Sequence, residues 1–471
     1  MRRLQYDYTN LTSSVVGPDH GLSPAAVLEW KAAAARAVDD MLELRDPQNV
    51  SFLDLPDSDV QHIVERARRD RERFTDMVVI GIGGSSLGTR AVYRALRRPY
   101  TETPVDRPSS EGSAGLRLHF IENVDSIETQ DLLSILPLGK TVFNVVTKSG
   151  NTIETLSIFA IVKAHLTALV GPDAYRQQVV VTTDPERGPL RALARRDGLP
   201  SFDVPPGVGG RFSVLTAVGL YPLACAGIDI VELLRGAASV RDGASDRDLE
   251  ANAAAQFAVH QVMMYERGLR QVVLMPYTRQ LQDLSFWFVQ LWAESLGKRR
   301  RNDDGTLKEV GPTPIAALGV TDQHSQLQLY MEGPAERNIV FIDIKQYDDS
   351  VLVPPMKNLL EGMSHIGGRP LEELRRAELE GVREGLAESL RPTSTLTLPR
   401  LTAESIGGLL MFFECATAIA GGLFGIDPYN QPGVELGKRY AHGLLGRDKE
   451  SHYADQFRKA VEGREKATIS F

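Results

Sequence analysis

Two short stretches of this chain combine glycine, hydroxyl groups and backbone amides in the way that anion-binding loops do. The first, Gly81-Ile82-Gly83-Gly84-Ser85-Ser86-Leu87-Gly88, follows a buried apolar run and opens a helical pattern. Glycines let amides approach a ligand closely, and a helix start favours an anion. Ser86 breaks the dinucleotide pattern G-x-G-x-x-G, and Thr89 replaces the lysine of a P-loop. The stretch therefore predicts a generic anion cradle with hydroxyls at Ser85 and Ser86, or a tight strand-to-helix turn.

The second stretch is Thr147-Lys148-Ser149-Gly150-Asn151-Thr152, which offers three hydroxyls and one cation within six residues. Phosphate oxygens accept many short hydrogen bonds, so this composition suits a phosphate monoester. A helix N-cap is the alternative, because Ser and Thr are favoured there. Both stretches follow predicted strands, and parallel sheets bind ligands beyond the carboxyl ends of their strands. That placement favours the ligand interpretation.

Four ionisable residues stand in settings that suit chemistry. Arg211 follows Gly209-Gly210, so a fixed cation can reach a ligand beside a flexible backbone. Glu294 lies in an apolar, aromatic helical pattern, where a carboxylate is a general base, a buried cap or an ion-pair partner. His324 lies in a polar cluster, and Lys438 follows a proline near a helix start. Taken alone, each has a structural explanation: a surface arginine, a buried carboxylate, a satisfied histidine or a solvated lysine.

The sequence offers little support for metal catalysis. No two of the nine histidines lie within four residues of each other, and no cysteine pair has ligand spacing. Cys225 and Cys415 are the only cysteines, and both lie among apolar residues. They are predicted to be buried in a protein of a reducing compartment.

Short β-rich apolar runs alternate with helical stretches, which predicts an α/β fold of mainly parallel sheets flanked by helices. The predicted strands are 77–82, 118–121, 141–146, 179–184, 272–275 and 339–344. The pattern begins again after residue 250, which predicts two α/β units. The predicted organisation is a helical segment 1–70, a first α/β domain 71–205, a connecting segment 206–250, a second α/β domain 251–445 and a charged helix or tail 446–471. The segment 101–115 is predicted to be an exposed loop, and Lys298–Arg301 a solvated face or loop.

The composition is that of an ordinary globular protein, since 42% of its 471 residues are hydrophobic and 24% are charged. A net charge of -8 gives no general attraction to nucleic acid or anionic membranes. The apolar stretch 406–426 is long enough to span a bilayer, but it contains Glu414 and the glycine pairs Gly407-Gly408 and Gly421-Gly422. We therefore expect a buried helix of a cytoplasmic protein.

Six segments, in their order along the chain, resemble those of the phosphoglucose isomerase family. They are Ile80–Ser85, Thr147–Thr155, Gly209–Leu220, Glu294–Lys298, Gln323–Ser325 and Gln431–Lys438. The resemblance implies two sugar-isomerase-type α/β domains, each a three-layer sandwich, in a homodimer without metal or organic cofactor. It also implies reversible isomerisation of glucose 6-phosphate and fructose 6-phosphate, in glycolysis and gluconeogenesis. The reaction would proceed by ring opening and proton transfer through a cis-enediol intermediate.

The same resemblance implies roles for individual residues. Glu294 would move the proton between C2 and C1, and Arg211 would stabilise the negative charge of the intermediate. His324, supplied by the partner subunit, would help to open the sugar ring, and Lys438 would assist near the ring oxygen. The implied substrate-binding and phosphate-binding residues are Gly84, Ser85, Thr147, Lys148, Ser149, Thr152, Gly210, Gln290 and Gln431.

The sequence departs from the family pattern at one position, and three alternative functions remain to be weighed. Family members often carry serine where Thr147 stands, so the hydroxyl is kept but the methyl group could narrow the pocket. A bifunctional phosphoglucose/phosphomannose isomerase would use the same residues. A non-catalytic sugar-phosphate sensor would need the loops alone, and the presence of all four ionisable residues argues against it. A nicotinamide dehydrogenase is disfavoured by the broken dinucleotide pattern.

Overall fold

The computed structural model describes residues 4–45, 49–98, 115–302, 304–357, 359–465 and 467–469. Its contacts divide the chain into two compact units, Met1–Pro428 and Tyr429–Phe471. The loop predicted at 101–115 lies outside the described residues except for Gly115. The domain limits given above stay a prediction.

The first unit contains two five-stranded sheets and a separate two-stranded hairpin. Its strands are β1 (Gln5–Asp7), β2 (Asp76–Ile80), β3 (Arg117–Ile121), β4 (Thr141–Thr147), β5 (Val179–Thr183), β6 (Ser201–Asp203), β7 (Gln271–Pro276), β8 (Lys298–Arg301), β9 (Leu307–Val310), β10 (Thr313–Ala316), β11 (Arg337–Ile344) and β12 (Thr393–Leu398). Its helices are α1 (Ser13–Val16), α2 (Pro24–Leu28), α3 (Lys31–Leu42), α4 (Gln61–Arg73), α5 (Leu87–Leu96), α6 (Ser126–Ile135), α7 (Ile153–Gln178), α8 (Pro189–Asp197), α9 (Ala217–Cys225), α10 (Ile230–Ala244), α11 (Ala253–Glu266), α12 (Gln282–Leu296), α13 (Leu327–Glu332), α14 (Leu371–Glu388) and α15 (Ala403–Phe424).

The first sheet is wholly parallel and has the order β3-β2-β4-β5-β6. Every residue of β2, β4 and β5 is buried, as expected for strands covered on both faces. The chain leaves β2 toward β3 on one side, whereas it leaves β4 toward β5 on the other. A crevice therefore opens between the carboxyl ends of β2 and β4, the usual ligand position in such sheets.

The second sheet has the order β1-β12-β11-β7-β10, and all of its strands are parallel except β1. The parallel sheets flanked by helices confirm the predicted fold class. The segment 1–70 is not helical throughout, because Gln5–Asp7 pairs antiparallel with β12. A three-residue strand is too short to show a period, and only its pairing with a distant strand defines it.

The basic run Lys298–Arg301 is a strand rather than a loop. It forms the antiparallel hairpin of β8 with β9, and its residues alternate between half-buried and exposed. The Arg300 guanidinium lies on the half-buried face, where it donates a hydrogen bond to the Phe424 carbonyl at 3.2 Å. Charged residues fit a strand when one of its faces is exposed to solvent, so of the two alternatives the solvated face was correct and the loop was wrong.

Two helices in the described residues are long and apolar enough to span a membrane. Ala403–Phe424 is 89% buried inside the protein, which confirms the predicted core helix, and Ile153–Asp173 is 28% buried. The longer α7 that contains the second stretch is interrupted at Gly171, where φ is +80°. Both cysteines are free and buried, as predicted. The cytoplasmic location stays a prediction.

The second unit consists of α16 (Glu435–Leu444) and α17 (Ser451–Glu462) after a 3₁₀ turn over Pro432–Val434. The rings of Tyr440 and Tyr453 meet edge-on with centroids 5.2 Å apart, which joins the two helices. Lys438 lies in the first turn of α16, where its Nζ is 2.9 Å from the Glu435 carboxylate.

Candidate active site

The two predicted anion loops lie on either side of the crevice between β2 and β4. The glycine loop over residues 81–86 follows β2, and the hydroxyl loop over residues 147–152 follows β4. A Cβ added to Gly81 would lie 3.1 Å from the carbonyl oxygen of Val146, so the two strand ends are in close contact. The expectation that both loops share one sheet edge is met.

Three hydroxyls of the hydroxyl loop point toward one another. Thr147 Oγ1 is 2.7 Å from Thr152 Oγ1 and 3.4 Å from Ser149 Oγ. The loop is fixed from below by Thr183, whose hydroxyl donates to the Thr147 carbonyl at 2.6 Å. Gly150, at φ +66°, makes the turn that brings Ser149 and Thr152 to the same side. Converging hydroxyls of this kind suit a multiply accepting oxyanion.

Lys148 does not extend freely into the crevice. Its ammonium donates to the carbonyls of Pro206 and Val208, at 2.7 Å each. Burial lowers the pKa of the Lys148 ammonium, and the Asp184 carboxylate opposes that shift. The side chain thus links the hydroxyl loop to the segment that leads into Gly209-Gly210-Arg211, hereafter the arginine loop (Val208–Ser213).

The arginine loop packs directly on the glycine loop. A Cβ on Gly84 would lie 2.3 Å from the carbonyl carbon of Gly210, so only glycine fits at this contact. Ser213 Oγ donates to the Gly210 carbonyl at 2.7 Å and lies 3.3 Å from the Gly84 carbonyl. Gly210 has open space where its Cβ would be.

Arg211 is buried, with 2% of its side chain exposed, and it contacts two residues of α12 and one backbone carbonyl. Its Nε donates to Ser295 Oγ at 2.6 Å, and its Nη2 donates to the Pro428 carbonyl. Its Nη1 lies 3.7 Å from Glu294 Oε2. A buried, fully oriented guanidinium is unlike the surface arginine that composition alone would suggest.

Glu294 lies at the end of α12 with 27% of its side chain exposed, so the carboxylate is accessible to solvent. Its Oε2 accepts a hydrogen bond from Gln290 Nε2, one turn earlier, at 3.2 Å. Lys298 Nζ donates to the Glu294 carbonyl at 2.7 Å, and burial together with Arg211 lowers the pKa of that ammonium. The Gln290 side chain also approaches Gly83, with Nε2 3.0 Å from an added Cβ. The structure therefore brings Glu294, Gln290, Arg211 and the glycine loop into one place.

His324 lies in a 3₁₀ turn over Thr321–His324 that follows the edge strand β10. Its neighbour Gln323 holds this turn, since it accepts from Tyr277 Oη at 2.8 Å and donates to Glu378 at 3.0 Å. The His324 side chain is exposed and makes no hydrogen bond or ion pair with the part of this chain that the structure describes. Its participation in the site stays a prediction.

Gln431 and Lys438 belong to the second unit, Tyr429–Phe471. Lys438 is exposed and paired with Glu435 within that unit. Their roles near the substrate also stay predictions.

Two groups that hold Arg211 received no role in the sequence analysis. Ser295 follows Glu294 directly, yet a serine inside an apolar helix carries no signal of a distant guanidinium partner. The Pro428 carbonyl is a backbone group, so a pattern of residue types cannot reveal it.

Across the described ranges, no group of three or more His, Cys, Asp or Glu side chains is placed to hold a metal ion.

Replacing Thr152 by valine should weaken binding of a phosphate ester without slowing turnover of bound substrate. Hydrogen bonds to charged groups contribute about 1.5–3 kcal/mol, so we expect KM to rise by about 10- to 100-fold. Helix α7 should still form, because the Thr152 side chain makes no capping hydrogen bond. Thr155→Val is the matched control, since its buried hydroxyl one turn later has no partner among the described residues. Equal KM values in the two variants would contradict a phosphate role for Thr152.

A doubly wound sheet with a hydroxyl loop at its crevice, beside a carboxylate–guanidinium pair, defines an α/β protein of the sugar-isomerase type. The family sequence model described as Phosphoglucose isomerase matches residues 66–463. The chain belongs to the phosphoglucose isomerase family, as its resemblance to that family predicted.

Relatives and solved structures agree with this family. The chain is 40% identical over 448 residues to a glucose-6-phosphate isomerase of Rubrobacter xylanophilus, covering 95% of this chain and 99% of the relative. It is 39% identical over 449 residues to one of Carboxydothermus hydrogenoformans, covering 94% and 95%. A crystal structure of a hypothetical protein from Thermus thermophilus superimposes with a TM-score of 0.82 at 35% identity, covering 94% of this chain and 100% of that one. A glucose-6-phosphate isomerase from Chlamydia trachomatis shares the fold, with a TM-score of 0.79 at 20% identity, covering 94% and 90%.

Proposed function

We propose that this chain catalyses the reversible isomerisation of glucose 6-phosphate and fructose 6-phosphate. The observation that carries the proposal is the pairing of the Glu294 carboxylate with the buried Arg211 guanidinium, beside loops suited to an anion. Moving a proton between adjacent carbons needs a base that can keep and return it. The charge that develops on the oxygens needs a fixed cation, and Arg211 is already oriented to supply one.

The phosphate is assigned to the hydroxyl loop and the glycine loop. Thr147, Ser149 and Thr152 supply hydroxyls, Ser85 supplies one more, and the backbone at Gly84 and Gly210 lines the space between them. Gln290 Oε1 is buried and has no hydrogen-bond partner in the described chain, so it is available to accept from a sugar hydroxyl. Gln431 is assigned a second hydroxyl contact on the strength of the family resemblance.

A coupled assay with a glucose-6-phosphate dehydrogenase tests the proposal directly. Fructose 6-phosphate should be converted, and the rate should survive a chelator because no metal enters the proposed mechanism. Conversion that disappears with chelator and returns only with a divalent ion would overturn this mechanism. Mannose 6-phosphate, run in parallel, would reveal the bifunctional alternative, and binding without turnover would indicate the sensor.

We further propose that the active form is a homodimer in which His324 of each subunit serves the site of the other. Its support is that His324 is exposed on a braced turn and bonded to nothing in the described chain. An imidazole so placed can act as the acid or base that opens the sugar ring. Lys438 is assigned to assist at the ring oxygen.

Mixing two inactive variants tests the shared histidine. If His324→Ala and Glu294→Gln subunits assort at random, half of the dimers are mixed and each has one intact site, so we expect about a quarter of the wild-type activity. Mixing His365→Ala with Glu294→Gln is the control for replacing an exposed histidine, and it should give about half of the wild-type activity, because a His365→Ala subunit keeps an intact site in either kind of dimer. Verified mixed dimers of the first pair that stay inactive would contradict a shared site.

A further inference from the structure

The side chain of Lys148 joins the hydroxyl loop to the segment that enters the arginine loop. The ammonium of Lys148 reaches away from its own loop and donates to the carbonyls of Pro206 and Val208. An ammonium has three N–H donors, so these two bonds leave at most one for any other partner. The Lys148 side chain is therefore poorly placed to be chiefly a phosphate ligand, and the phosphate contact that the family resemblance implies at this position falls to the backbone amides near Lys148.

The anchored carbonyls lie directly before the two glycines of the arginine loop. The Val208 carbonyl belongs to the peptide that enters Gly209, and Gly209 and Gly210 then precede Arg211. Glycine restricts the backbone least, so an unanchored segment of this kind samples many conformations. The guanidinium end is fixed by Ser295 and Pro428, whereas the Val208 end is fixed by Lys148.

We propose that Lys148 is a positioning residue that holds the arginine loop at a fixed position relative to the phosphate-binding hydroxyls. This inference rests on the proposed function. The distance and orientation between the Arg211 guanidinium and a phosphate bound by Thr147, Ser149 and Thr152 are then fixed. Binding energy at the phosphate, which does not react, thereby contributes to orientation at the reacting carbons. Partial burial lowers the pKa of the Lys148 ammonium, in agreement with a group that is partly withdrawn from solvent.

Lys148→Met removes the ammonium and keeps most of the aliphatic stem. A misplacement of about 1 Å can cost about 100-fold in rate, so we expect kcat to fall by about 10- to 100-fold. The inhibition constant of inorganic phosphate should change by less than about 3-fold, because the hydroxyls remain. Lys148→Arg, which can still donate to carbonyls, should recover part of kcat.

A double-mutant cycle shows whether Lys148 acts through Arg211. If it does, Lys148→Met should add little to the loss already caused by Arg211→Lys, and independent roles would multiply the two losses instead. Lys163→Met is the matched control: Lys163 is a half-buried lysine 3.0 Å from the Asp197 carboxylate, outside the site, and its loss should leave kcat unchanged.

Amide hydrogen exchange gives a readout that does not depend on activity. In Lys148→Met, amides of the arginine loop should exchange faster than in the wild type, while those of β2 and β4 stay protected. Unchanged exchange, multiplicative losses in the cycle, or a phosphate affinity that falls while kcat is kept would each overturn the positioning role. Absence of isomerisation by the wild-type protein would overturn the proposed function and leave the exchange result to decide the loop contact.

Discussion

Replacing Glu294 by glutamine is expected to lower kcat by about 10²–10⁴-fold, the usual contribution of a general base. Glutamine keeps the shape and can still accept the hydrogen bond that Gln290 donates at 3.2 Å. Arg211 keeps its bonds to Ser295 and Pro428, so its loop should stay in place. Inorganic phosphate should therefore inhibit the variant about as well as the wild type.

Exchange of the substrate C2 proton with deuterium separates this role from a structural one. A variant that lacks the base should lose exchange together with turnover. Glu332→Gln is the matched control, because Glu332 also accepts a hydrogen bond from a glutamine four residues earlier, Gln328, at 2.7 Å, but lies outside the site. Near-normal exchange in folded Glu294→Gln protein would remove Glu294 from proton transfer.

Replacing Arg211 by lysine is expected to lower kcat/KM by about 10²–10³-fold, the effect of losing one preorganised donor to a developing oxyanion. The guanidinium serves Ser295, Pro428 and Glu294 at once through separate N–H groups. A lysine ammonium is a point charge on a flexible stem and cannot reproduce that fork. Charge is conserved, so the loss would measure geometry rather than electrostatics alone.

A buried arginine elsewhere provides the control for stability. Arg241 is also buried and donates to Asp57 Oδ2 at 2.6 Å and to the Leu53 carbonyl at 3.2 Å. Arg241→Lys and Arg211→Lys should both lower the melting temperature, whereas only Arg211→Lys should lower kcat/KM. A similar loss of activity in both variants would reduce the Arg211 result to a folding defect.

The fold class could be predicted from the sequence because strands that are buried on both faces consist largely of continuous runs of apolar residues. Met77–Ile80 in β2 and Val179–Val181 in β5 are such runs, and each strand lies close to its predicted position. Six strands escaped prediction: β1, β6, β8, β9, β10 and β12. Two of them show why: Gln5–Asp7 is an edge strand of three residues, and Lys298–Arg301 is a basic strand in a hairpin. Their strand state comes from pairing with distant or exposed partners, and no local period records it.

The sequence by itself determined which residue types surround the crevice, since a glycine loop and a hydroxyl loop each had to follow a buried strand. The sequence also determined family membership, because six short motifs occur in it in the same order as in the family. Only the tertiary structure decided that Arg211 is buried against Ser295 and Pro428, and that Lys148 bonds to carbonyls instead of projecting into the crevice. These contacts join residues 58 to 217 positions apart, and two of them end on backbone oxygens. Every residue carries the same backbone oxygen, so a pattern of side chains cannot predict which carbonyl will accept a hydrogen bond. Only the folded chain determines which carbonyl lies within hydrogen-bond distance.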